Sequence, residues 1–227
     1  MAQKINPNSL RLGLTIPWSN RWFFKRNLRF FLEEDCLIRK IIKEKILAAG
    51  IASVDIERTS EVIRISIRAG RPGLIIGRGG KGIEDLKNNL IKAIKKLRSK
   101  KGLNKEMMLS LNVEELRRSE ASSAVIAQQI AFDMEKRLPY RILLKRNLDA
   151  LKQNRSVLGA KIKVSGRLNG GEIARQDWLA FGKMPLQTLR ANIDYGEATS
   201  FNTYGTVGIK VWIYKGEIFS EKPRERE

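Results

Sequence analysis

From Asp35 to Leu47, apolar residues recur at helical spacing. Ile38, Ile41, Ile42 and Ile46 form one stripe, Asp35 suits an N-cap and Gly50 a terminator, so a helix is expected there. The period then drops to two. A strand is expected near Ile51–Glu57, and after the turn Arg58–Glu61 the run Val62–Arg68 alternates, with Ile63, Ile65 and Ile67 on one face and Arg64 and Arg68 on the other. Gly70-Arg71-Pro72 breaks this strand and Gly73–Ile76 makes a short apolar turn. A second helical stripe follows at Ile83, Leu86, Leu90, Ile94 and Leu97. The stretch Arg98–Lys105 reads as a basic loop, and Met107–Val113 alternates again with Leu109, Leu111 and Val113 inward. The first half is therefore expected to run helix, strand, strand, short helix, loop, helix, strand.

In the second half, a helix is expected from about Ser119 to Leu138, with Ile126, Ile130 and Met134 on one face, and Pro139 ends it. Another runs from Tyr140 to about Gln153, where Arg141, Lys145 and Lys152 fall within about 40° of one another beside Tyr140, Leu144 and Leu151. Four strands complete the pattern: Ala160–Val164, Ile173–Phe181, Leu189–Tyr195, and one marked by Val207, Ile209, Val211 and Ile213 with Lys210 and Trp212 opposite. Two helices on a mainly antiparallel sheet are implied. The resulting division is an arm over 1–17, one domain over 18–115, a second over 116–218 and a short charged tail over 219–227. Asn6-Pro7-Asn8-Ser9, Gly13 and Pro17 give the arm an extended reading that needs a partner for order. Next to it, Trp18, Trp22, Phe23, Phe24, Phe30 and Phe31 are interleaved with Lys25 and Arg26. Such aromatics can stack on unpaired bases, but beside a helix they more often pack, so core is expected.

Composition narrows the chemistry. At 227 residues with 42% hydrophobic, the chain can fill real cores, and 44 Lys+Arg against 24 Asp+Glu leave a formal net charge of +20. That excess points to a polyanion, and its spread along the whole chain favours nucleic acid over a membrane. Histidine is absent and Cys36 is the only cysteine, which excludes internal disulfides, Cys/His zinc sites and histidine bases. Cys36, among Leu37, Ile38, Ile41 and Ile42, is expected on a buried helix face. No apolar run approaches a membrane span and the start lacks a signal-peptide core, so a cytosolic protein is expected. No metal, cofactor or small-molecule substrate is expected.

The centre of the first half is Ile75-Ile76-Gly77-Arg78-Gly79-Gly80-Lys81-Gly82-Ile83. Its glycines permit positive φ and close approach of a ligand, and Arg78 and Lys81 bring charge to the same point. Read literally it satisfies G-x-G-x-x-G, yet Pro72-Gly73 stands where a strand should enter, and Leu97–Lys105 offers no acidic residue for a ribose. No Walker loop occurs either.

An apolar turn, a G-x-x-G loop and a helix resemble the KH signature, here in the type II order α-β-β-α-α-β; in such modules the loop clamps a nucleic-acid backbone. The resemblance extends further. Gln3–Pro7 with Leu10–Gly13, Arg71-Pro72-Gly73, Gly159–Leu168 followed by Gly171–Arg175, Asp194-Tyr195, Thr203-Tyr204-Gly205 and Lys210-Val211-Trp212 are together similar to the bacterial-type third proteins of the small ribosomal subunit. This resemblance implies an α+β fold: a KH type II domain, then two helices with a four-stranded sheet. It implies a structural rather than enzymatic role in the ribosomal head, in the cytoplasm. The partners implied are small-subunit rRNA, mRNA and the small-subunit proteins numbered two, five, ten and fourteen. The RNA-binding loop would be Gly77, Arg78, Gly79, Gly80 and Lys81. A basic helix at the mRNA entry would use Arg141, Lys145 and Arg146, with Ile142 standing where the family usually offers a second arginine. Contacts to rRNA would fall on Lys4, Arg11, Arg167, Arg175 and Arg190. Two alternatives stay open on the residues alone: a free-standing KH regulator of single-stranded RNA, and a lyase using a lysine Schiff base.

Overall fold

The computed structural model describes residues 4–23, 28–46, 49–59, 62–99, 108–117 and 120–219. Expectations on residues 1–3, 24–27, 47–48, 60–61, 100–107, 118–119 and the tail from 220 onward lie outside the described residues. The chain forms two compact units, Trp18–Arg117 and a second that joins Met1–Pro17 to Arg118–Glu227.

Pro7–Arg11 forms a short helix, α1, in place of the expected extended arm. Proline in the first turn and the Asn6 carboxamide, which accepts from the Asn8 N–H at 2.9 Å, start it locally. The segment folds with the C-terminal unit rather than standing free.

In the unit Trp18–Arg117, β1 (Asn20–Trp22), β2 (Ile51–Arg58), β3 (Val62–Ala69) and β4 (Met108–Glu115) make a sheet in that order. β1 is parallel to β2, β2 antiparallel to β3, and β3 parallel to β4. The helices are α2 (Leu28–Ile46), α3 (Pro72–Ile76) and α4 (Lys81–Ser99). The order α2-β2-β3-α3-α4-β4 is the expected type II arrangement, with β1 added as an edge too short to show a period. Ile38 and Ile42 of α2 and Leu86, Leu90 and Ile94 of α4 share one core with Ile56, Ile63, Ile65 and Ile67. Arg64 and Arg68 point outward as the alternation requires.

Four expectations change here. α2 begins at Leu28, about two turns before Asp35, and Glu34 and Asp35 are buried inside it instead of capping it. Buried carboxylates need cations, and β2 and α4 supply them. The Arg58 Nε donates to Asp35 at 2.8 Å and its Nη1 to Glu34 at 2.6 Å, while the Arg98 Nε donates to Glu34 at 2.7 Å. For the same reason Arg98 does not open a loop; α4 runs on to Ser99 to carry it. Cys36, one position past the buried pair, is exposed. The aromatic cluster divides as well. The Trp22 indole N–H donates to Asp35 at 3.0 Å and Phe31 lies under the Arg58 guanidinium at 5.3 Å, but Trp18 and Phe23, flanking the short edge strand, are 63% and 76% exposed.

In the other unit, α5 (Ser123–Glu135) and α6 (Tyr140–Gln153) pack on an antiparallel sheet ordered β6 (Arg175–Gly182), β5 (Gly159–Gly166), β8 (Gly205–Glu217), β7 (Ala191–Asn202). Ile130, Met134, Leu144 and Leu148 meet Ile162, Val164, Ile209 and Val211 in its core. β7 extends seven residues past the expected Tyr195, because this stretch lies against α5. A Cβ on Gly196 would stand 2.5 Å from the Ala124 nitrogen, and the Asp194 carboxylate caps α5 by accepting from the Ser123 N–H at 3.0 Å and its hydroxyl at 2.7 Å.

Candidate nucleic-acid interface

The glycine loop is built by two helices meeting head to tail. α3 ends where the Gly77 N–H donates to the Gly73 carbonyl at 3.0 Å, with Gly77 at φ 68°. Arg78–Gly80 forms a single 3-10 turn through Gly79 at φ 62°, Gly80 follows at φ 81°, and α4 starts at Lys81. Only glycine enters this region of φ without strain. The glycines differ in purpose. A Cβ on Gly82 would lie 2.5 Å from the Ile75 carbonyl, so Gly82 lets α3 and α4 touch; a Cβ on Gly79 or Gly80 would meet nothing within 4 Å. Gly79 and Gly80 therefore leave backbone open to the outside, and Arg78 and Lys81 flank that opening as exposed side chains.

The basic helix α6 buries Leu143, Leu144, Asn147, Leu148 and Leu151, which turns Arg141, Ile142, Lys145 and Arg146 to the surface. They are not equally available. Arg146 donates to Asp133 at 3.0 Å, and the Arg141 Nε donates to the neighbouring Tyr140 hydroxyl at 3.1 Å. Lys152 is held by Asp149 at 3.2 Å. Ile142, 64% exposed, lies between Lys145 and Arg146 around the helix and sets Arg146 apart from the Arg141–Lys145 pair.

The five isolated basic residues meet different fates. Lys4 and Arg175 are exposed. Lys4 lies near Lys161, whose ammonium is pushed below its ordinary value by burial and then by Lys4 and Lys163. Arg167 is half-buried and donates to the carbonyls of Gly171 and Tyr204, both at 3.0 Å. Arg190 pairs with Glu217 at 2.8 Å. Arg11 overturns its expected RNA contact. Its side chain is wholly buried and donates to the carbonyls of Ala191 at 2.7 Å, Thr188 at 2.8 Å, Leu186 at 2.9 Å and Pro7 at 3.0 Å. A guanidinium with its donors spent on backbone inside the fold has none to offer phosphate.

A further basic surface lies on the sheet face turned away from α5 and α6. Lys161 pairs across the sheet with Trp212, and Lys163 with Trp178 and Lys210; the Lys161 ammonium sits 4.5 Å from the Trp178 ring centroid and 6.0 Å from that of Trp212. The signal for it was the Lys-Ile-Lys-Val alternation of β5, which places each lysine opposite the core.

Two family profiles match. One, described as KH domain, covers residues 37–121, and the other, described as Ribosomal protein S3, C-terminal domain, covers 130–213. The Syntrophomonas wolfei protein named small ribosomal subunit protein uS3 is 42% identical over 228 residues, covering 100% of this chain and 95% of that protein. The chain belongs to the uS3 family. Proteins of the same name from Acidobacterium capsulatum, 41% identical over 225 residues, and Campylobacter concisus, 42% identical over 222, cover 99% and 97% of this chain and 96% and 90% of their own lengths. The first profile spans the glycine loop and the second spans α6, so both stretches singled out by charge fall within family-defining regions.

Proposed function

We propose that the chain is a structural, non-enzymatic constituent of the small ribosomal subunit, cytoplasmic with the ribosome, that binds small-subunit rRNA and helps to form the mRNA entry channel. The full-length similarity to proteins named for that subunit carries this reading. The geometry supports it. Gly77, Arg78, Gly79, Gly80 and Lys81 present open backbone and two cations as a clamp for a sugar-phosphate chain, while Arg141, Lys145 and Arg146 present a basic ridge for incoming message. Lys4, Arg167, Arg175 and Arg190 serve as rRNA contacts at the edges of the second unit. The proteins numbered two, five, ten and fourteen are its neighbours in the head. In this division, 18–115 acts as the RNA-binding KH domain and 116–218 as the docking and channel domain.

The test is sedimentation of tagged chain followed by translation of structured messages. The chain should migrate with small subunits at moderate salt. Replacing Arg141, Lys145 and Arg146 with alanine should leave assembly intact and slow passage through hairpins. Migration with free RNA would instead identify a KH regulator, and failure of the variant to assemble would assign α6 to rRNA packing.

A further inference from the structure

The unit containing α5 and α6 holds a cavity of about 380 Å³ that the reading above does not use. It opens where the end of α5, the start of α6, the turn after β5 and the β7–β8 hairpin converge, and Arg137, Tyr140, Arg167, Asn169, Asn202 and Tyr204 are among its lining residues. We propose that this cavity is a pocket for one unpaired nucleotide of RNA. The proposal rests on the RNA-binding reading and adds to it a specific site.

Size sets the class of ligand. The volume falls within the range of pockets that enclose small molecules, room for a base and its sugar but not for a duplex. The walls supply what such a nucleotide needs. Tyr204 is fixed at the hairpin tip: a Cβ on Gly170 would meet its ring at 3.3 Å, and the Arg167 guanidinium, held by the Tyr204 and Gly171 carbonyls, lies 6.0 Å from the ring centroid. Tyr204 as a residue nevertheless remains 55% exposed, which leaves a surface on which a base can stack. Asn169 and Asn202 add amide groups that match the edges of a base.

Charge points the same way. Arg137 is exposed and makes no ion pair among the described residues, and Arg167 places a second guanidinium on the wall. The one carboxylate there, Glu135, is committed to the hairpin, accepting the Phe201 N–H at 3.1 Å. A final observation concerns the backbone. Arg137 at φ 63° and Asn169 at φ 54° are the non-glycine residues with positive φ among those described, and both line this cavity. Arg137 closes α5 in a left-handed turn, its N–H donating to the Met134 carbonyl at 2.9 Å, at a position where glycine is the least strained choice. Retaining arginine there costs stability and places a cation at the mouth of the pocket.

Thiouridine photocrosslinking of the full-length protein to a short single-stranded RNA, with peptide mapping, tests this. Crosslinks should fall on the peptides carrying Tyr140 and Tyr204. Tyr204→Ala should remove them and weaken binding about tenfold or more, whereas Tyr204→Phe should keep both. Arg137→Gly separates binding from folding, because it relieves the left-handed strain: it should melt no lower than wild type yet bind the RNA more weakly. Wild-type affinity in Tyr204→Ala and Arg137→Gly, with crosslinks confined to Gly77–Lys81, would overturn the pocket and leave the RNA-binding reading standing. Absence of any RNA binding by the wild-type chain would overturn both.

Discussion

Arg11→Ala distinguishes a residue that holds the fold from one that holds RNA. In the structure, the guanidinium is buried and donates to five carbonyls, four of them in or next to the segment that leads into β7. Alanine removes all of these donors, the Thr188 carbonyl keeping only the Ala191 N–H at 3.2 Å, and each acceptor left dry and unpaired costs about 1–3 kcal/mol. With Thr188 still paired, and with water entering the space left by the side chain, the loss comes to about 3 kcal/mol. For a unit of this size the loss should lower its melting temperature by about 10 °C. Arg11→Lys keeps the charge but offers three donors from one nitrogen in place of a planar fork, so it should recover only part of the loss. Hydrogen exchange read on the 185–191 segment localises the effect: amides there should exchange faster in Arg11→Ala, while those of the Trp18–Arg117 unit should not change. The opposite pattern is equally definite. If Arg11→Ala melts within about 0.5 kcal/mol of wild type and loses rRNA affinity with a shallower salt dependence, Arg11 contacts phosphate and the burial argument fails.

Three further substitutions probe the first unit. Gly82→Ala forces a Cβ to within 2.5 Å of the Ile75 carbonyl and should cost about 3 kcal/mol, whereas Gly79→Ala meets open space and should cost about 1 kcal/mol for its left-handed φ; equal costs in denaturant titrations would refute the separate purposes assigned to these glycines. Glu34 is pushed up by burial, but hydrogen bonds and charge from Arg98 and Arg58 outweigh that and leave its carboxyl below the ordinary 4.5. Because the folded value is the lower one, the stabilisation is complete above the unfolded carboxylate range and is lost as the pH falls through the folded value. Glu34→Gln should cost about 3–5 kcal/mol at neutral pH and flatten the acid limb of the stability curve; an unchanged slope between neutral pH and about pH 3 would show that the cluster does not titrate as described.

What could be read in advance follows from where each signal resides. Ile63, Ile65 and Ile67 announced a half-buried strand because alternation is a local property, and all three are buried. Gly79 and Gly80 announced a loop because glycine itself carries the freedom to take positive φ, as both do. Burial of a charge is different. Arg11 finds four of its five carbonyl partners at Pro185, Leu186, Thr188 and Ala191, Arg98 finds Glu34 across 64 residues, and Asp35 finds Arg58 across 23. No window of sequence contains both members of such a pair, so each polar residue reads as solvent-facing: Asp35 as a cap, Arg98 as a loop, Arg11 as an RNA contact. Cys36 was misplaced by the same error, since the buried stripe of α2 passes through its charged neighbours Glu34 and Asp35.

These corrections change how the net charge of +20 should be read. A sum over the chain counts Arg11, Arg58 and Arg98 as available to a polyanion, although burial withdraws all three. Arg146 and Arg190, exposed but each joined to a partly buried carboxylate, occupy an intermediate position. A phosphate approaching them would have to displace an ion pair whose carboxylate is only 14% exposed at Asp133 and 30% at Glu217, so the exchange would cost more than at a fully exposed pair. The usable footprint therefore consists of exposed cations around features with a shape of their own: Arg78 and Lys81 beside open glycine backbone, Arg141 and Lys145 on a rigid helix, and Arg137 at a cavity lined by tyrosines. On the proposed reading, charge would bring RNA to all of these surfaces alike, and the glycine backbone, the helix ridge and the pocket would tell one part of an RNA from another.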